Sequence, residues 1–136
     1  MSYGNYANEY RKSAVNGASP LQLVVMLYDG ALRYMEAGKH AMIQKDLEGQ
    51  NTNLQKAQRI ISELLSCLDG DKGKDVARNL RALYTFTLNQ LVEANMKDDP
   101  KAIEGCIKIF SDLRESWSAL EKQTRVKENG GGQIAA

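Results

Sequence analysis

Residue types that usually carry catalysis are sparse in this chain and poorly spaced. Its one histidine, His40, falls on the polar side of a helical stretch, which gives little support to a triad or an imidazole acid–base pair. A di-iron bundle needs Glu-x-x-His on two helices; Glu36 and His40 have the wrong spacing and no counterpart. The run Asp69-Gly70-Asp71-Lys72-Gly73-Lys74-Asp75 hints at a calcium loop. However, the sixth position is not glycine, and Leu80 stands where the bidentate acid belongs. Cys67 and Cys106 lack metal or redox spacing, and each reads as a small packing residue on a helix. No Gly-x-x-x-x-Gly-Lys phosphate loop occurs, and Glu63 and Glu93 read as solvated or rim residues. The expectation is a chain that is not an enzyme, with no catalytic residue, metal site or cofactor.

The totals narrow the class. With 136 residues, the chain suffices for one domain and one core. A hydrophobic fraction of 43%, a charged fraction of 26% and a formal net charge of +1 describe an ordinary globular protein. Lysines and arginines are interleaved with acids, so no nucleic-acid partner is expected. The N-terminus has neither a basic start nor an apolar signal core, and no stretch is long enough to cross a bilayer. The expected location is the cytosol, without membrane insertion.

Any binding surface must therefore be built by helices. Ser19-Pro20-Leu21-Gln22 opens the first with an N-cap, an N1 proline and a capping box, and it runs to about Lys45. A second begins after Asp46 and carries Leu54, Ala57, Ile61, Leu64, Leu65 and Leu68 at helical spacing until the stretch 69–73 stops it. A third runs from about Lys74 to Met96, with Val76, Leu80, Leu83, Tyr84, Thr87, Leu91 and Ala94 on one face. Asp98-Asp99-Pro100 starts a fourth, striped by Ile103, Ile107, Phe110, Leu113, Trp117 and Leu120. Helices of about six turns, joined by short connections, predict an all-α, antiparallel up-down four-helix bundle. The expected organisation is an N-terminal arm or short helix over 1–18, the bundle over 19–125 and a flexible glycine-rich tail over 126–136.

The first helix is apolar over roughly two thirds of its circumference, far more than the ~100° stripe of a surface helix. Leu21, Val24, Val25, Tyr28, Leu32, Met35, Met42 and Ile43 form one sub-face. Leu23, Leu27, Gly30, Tyr34, Ala37, Gly38 and Ala41 form another, whose small residues leave a concavity. Two readings are open: a central helix packed tightly on its neighbours, or one wall of a groove for a guest helix. Leu88 and Val92 widen the apolar arc of the third helix in the same sense.

Several blocks resemble the flagellar secretion chaperone FliS family. Ala18-Ser19-Pro20 followed by Leu23-Val24-Val25-Met26-Leu27-Tyr28-Asp29-Gly30-Ala31 is the most specific. Lys56-Ala57-Gln58, Leu68-Asp69, Asn79-Leu80, Leu83-Tyr84, Leu91-Val92-Glu93-Ala94-Asn95 and Leu113-Arg114-Glu115 follow in the right order. The resemblance implies a helical bundle bound one-to-one by the C-terminal segment of flagellin, which is thereby kept from premature polymerisation and competent for type III export. Other flagellar regulatory or export proteins are candidates for further partners, which the sequence does not decide. Together with the residue pattern, it suggests a groove formed or supported by Leu23, Leu27, Tyr28, Tyr34, Tyr84, Leu88, Leu91 and Val92. Tyr3 and Tyr6 match the apolar positions of the family's arm and, with Tyr10, form the expected gate. The rival expectation is a bundle of the flagellar system that pairs with itself through the same face.

Overall fold

The computed structural model describes residue 17 and residues 19–135, with side chains to residue 127. Four helices follow in order: α1 (Pro20–Ile43), α2 (Leu47–Ser66), α3 (Gly70–Lys97) and α4 (Pro100–Ala135). Among the described residues there is no strand. The expected arm, with Tyr3, Tyr6 and Tyr10, lies outside the described residues.

Each helix start has a local cause. The Gln22 amide donates to Ser19 Oγ at 3.1 Å while the Ser19 amide donates to Gln22 Oε1 at 2.8 Å, a complete capping box. Asp46 accepts from the Gly49 amide to open α2. Asp69 accepts from Asp71 and Lys72 to open α3, and Asp99 accepts from Lys101 and Ala102 to open α4 behind Pro100. Left-handed residues turn the chain at Lys45 (φ 60°) and Asp98 (φ 54°).

α1 and α3 lie on one diagonal, and each packs between α2 and α4. Late α1 meets early α2 where Gly38 faces Leu54, and the start of α1 meets later α4 where Ser19, Pro20 and Gln22 share a cavity with Glu121, Thr124 and Arg125. Early α2 meets the end of α3 where Gln50 reaches Asn95. The bundle is therefore antiparallel, as its periodicity and short connections predict. Its core is Tyr28, Met35, Leu54, Ile60, Ile61, Leu91, Ile103 and Phe110, all fully buried. Burying each such side chain contributes about 1.5–3 kcal/mol.

Four details depart from the sequence expectation. α3 begins at Gly70, one turn before Lys74, and is interrupted there by a non-helical residue (φ 49°, ψ −120°). Val76, expected in the core, is 63% exposed, and Ala77 takes the inward position beyond that break. Cys67 ends α2 as its C-cap and is exposed, while Cys106 is buried. Leu120, expected on the inward stripe of α4, is 45% exposed.

Candidate docking surface

At the centre, three rings from three helices meet: Tyr28 of α1, Tyr84 of α3 and Phe110 of α4, with centroids 5.1–6.3 Å apart and tilted planes. The Tyr28 and Tyr84 hydroxyls are hydrogen-bonded, and the Trp117 indole N–H donates to the Tyr28 oxygen at 3.1 Å. Burial raises the ionisation of both hydroxyls above the usual phenol value, so both stay protonated at neutral pH. With every polar atom partnered, this cluster fixes helix register and offers no reactive group.

α2 fills the small-residue side of α1. A Cβ on Gly38 would stand 2.6 Å from Leu54 Cδ2, so its missing side chain permits close approach of the two helices. Leu23, Leu27, Tyr28 and Tyr34 are buried, as are Tyr84 and Leu91 of α3. Lys56 of α2 rests 5.5 Å over the Tyr34 ring. Of the eight residues expected at a groove, Leu88 is half-buried and Val92 is 46% exposed. The other six are buried.

Among the described residues, four of the eight large apolar side chains that are exposed (Val76, Phe86, Val92 and Met96) lie on α3. Leu88, Val92 and Met96 are spaced four apart, a row along one side of the helix, and Met96 is 79% exposed. Phe86 is exposed on another side. Beside the upper part of α3 runs α2, where Asn51 Oδ1 accepts from Asn95 Nδ2 at 2.9 Å. Asn51 begins the polar row Asn51, Gln55, Gln58 and Ser62. The buried Gln50 amide, donating to Asn95 Oδ1 at 3.0 Å and Asp98 Oδ1 at 2.8 Å, ties the start of α2 to the end of α3. At that end a cavity of about 430 Å³ is lined by Met42, Ile43, Leu47 and Pro100 among others. At the opposite end of α3, Gly70, Lys74, Asp75, Ala77, Arg78 and Arg81 line one of about 500 Å³.

The surface is thus one of shape, apolar contact and exposed amides. Among the described residues no cluster of His, Cys, Asp and Glu could hold a metal ion, and no helix is long and apolar enough to cross a membrane. A family model described as flagellar protein FliS matches residues 2–124. The chain belongs to the FliS family. Three curated relatives carry the name flagellar secretion chaperone FliS. That of Vibrio cholerae is 38% identical over 79% of each chain. The Bacillus subtilis relative is 32% identical over 99% of this chain and all of its own. The Salmonella typhimurium relative is 34% identical over 91% of this chain and 93% of its own. FliS is a chaperone family rather than an enzyme family.

For a FliS chain, the surface residues that the sequence reading passed over are Arg78 and Arg81, at the lower end of the same helix. The signal was available: Arg78, Arg81, Leu88, Val92 and Met96 follow steps compatible with one helix side, outside the stripe occupied by Leu80, Tyr84 and Leu91. Asp29 lies on α1 and is exposed. Its pairing with Arg114 at 2.8 Å, which raises the arginine's proton affinity, depends on a residue 85 positions away.

Proposed function

We propose that this chain is a cytosolic export chaperone that holds the C-terminal segment of flagellin, prevents its premature polymerisation and keeps it competent for type III secretion. The observation that carries this reading is the match to FliS over residues 2–124, with curated relatives named as flagellar secretion chaperones. The exposed apolar row on α3 supports it, because such a row gains stability when a guest helix covers it.

Leu88 and Val92 make direct contact in this proposal. Leu27, Tyr28, Tyr34, Tyr84 and Leu91 belong to the core cluster behind Leu88, and Leu23 is buried nearer the start of α1. A guest burying ~1,000 Å² or more in all cannot also offer that face to another flagellin. Because the guest orders as it binds, part of the interaction energy offsets lost entropy and the complex can be undone. Tyr3, Tyr6 and Tyr10 gate the surface before flagellin arrives.

Calorimetry with intact flagellin and with flagellin lacking its C-terminal segment tests the function. One-to-one binding of the intact protein alone is expected; equal binding of both overturns the assignment of the segment. Deleting residues 1–17 should tighten binding, and unchanged affinity in a folded variant removes the gate.

A further inference from the structure

We propose that α3 also sets the direction in which the guest lies, with guest carboxylates beside Lys74 and Arg81 and guest apolar turns beside Leu88, Val92 and Met96. This rests on the chaperone reading above and adds a charge polarity to it.

α3 changes character along its exposed side. Lys74, Arg78 and Arg81 line one cavity of about 500 Å³ near its start. From Arg78 to Met96, steps compatible with one helix side lead from guanidinium groups to the row Leu88, Val92 and Met96. That distance is about 27 Å, the length of a five-turn guest helix. Asp75, the carboxylate lining the cavity, pairs with Arg78 at 3.6 Å. Three cations thus face one carboxylate, and Lys74 and Arg81 have no ion-pair partner among the described residues.

The choice of occupant follows from this gradient. A nucleic acid or an anionic bilayer wants cations along the whole contact, whereas here the basic turns give way to apolar ones and the chain as a whole carries only +1. A small anion is poorly served too, because Asp69 already accepts from the Asp71 and Lys72 amides at the start of α3. An amphipathic helix with carboxylates at one end and apolar residues at the other satisfies both halves. Reversed, it would set its carboxylates against Val92 and Met96 and strand the cations.

The test uses the full chain and a synthetic peptide of flagellin's C-terminal segment, beside a copy with each Asp and Glu changed to Asn and Gln. Wild type should bind the native peptide about tenfold more tightly than the amide copy. That preference should shrink as salt rises from about 50 to about 500 mM. The double variant K74E/R81E, with melting temperature and helicity checked against wild type, should lose about tenfold for the native peptide and recover it for a copy bearing lysines in place of the carboxylates. V92S should weaken both original peptides alike. Equal binding of native and amide peptides by wild type, or an unaltered K74E/R81E, overturns the polarity and leaves the chaperone reading standing. Wild type that binds neither peptide overturns both. Tighter binding to a DNA duplex or a phosphatidylserine vesicle than to the peptide overturns the choice of occupant.

Discussion

Tyr28 and Tyr84 share a hydroxyl–hydroxyl bond across the diagonal of the bundle, between α1 and α3, whose backbones do not adjoin. The Tyr28 oxygen also accepts from Trp117 of α4, so one atom connects three helices. Removing it strands the buried Tyr84 hydroxyl and the half-buried Trp117 indole; removing the Tyr84 hydroxyl strands one partner. Tyr28→Phe should cost about 2 kcal/mol and Tyr84→Phe about 1 kcal/mol in urea unfolding. A shift in Trp117 emission should accompany the Tyr28 variant. Equal costs would contradict the shared-acceptor geometry.

Alkaline pH should weaken the fold through the buried thiol and phenols. Burial pushes the Cys106 thiol from 9.0 to about 11, so between those values the folded chain holds a proton that the unfolded chain releases. Stability is therefore complete below about pH 9 and falls as pH rises toward 11, with both tyrosines deepening the loss above 10. Melting temperatures across this range should fall, and Cys106→Ala should flatten the portion between 9 and 11. A melting temperature that rises with pH there has the wrong sign.

Two glycines predict opposite outcomes for the same substitution. At Gly38 a methyl group would drive into Leu54, so Gly38→Ala should destabilise by about 1–3 kcal/mol despite the gain in helix propensity. Gly105 faces open space on α4, and Gly105→Ala should stabilise by about 0.5–1 kcal/mol. Thermal unfolding of the pair separates packing from propensity.

Lys74 holds a positive φ that side chains rarely adopt. Lys74→Gly should raise stability by about 1 kcal/mol by relieving that strain, measured by denaturant midpoint. A loss of stability would place a regular helix there instead.

Much of the architecture was readable because it is written locally. Ser19, Pro20 and Gln22 announce α1 within four residues, and Asp99 with Pro100 announces α4 in the same way. Periodicity identified the inward sides of Leu54–Leu64 and Leu80–Leu91, since burial repeats with the helix. What a wheel lacks is the identity of the neighbour. Leu23, Leu27 and Tyr34 have the spacing of a groove wall and of a helix–helix seam equally, and the presence of Leu54 against Gly38 is a tertiary fact. Gln50 was passed over for the same reason: its amide partners lie 45 and 48 residues away. The break at Lys74 directly follows Gly73, where the sequence signals start the third helix; the extra turn from Gly70, capped by Asp69, is what those signals do not show.

That break divides α3 into two cooperative pieces of unequal size. A helical ladder transmits protection only as far as its backbone hydrogen bonds are continuous, so the turn at 70–73 can open without disturbing the long segment that follows. Deuterium should enter its amides on a faster clock than those around Leu91. Lys74 consequently sits at a joint and Arg81 two turns beyond it, so the first turn of α3 can reorient while the buried tyrosines hold the remainder in place.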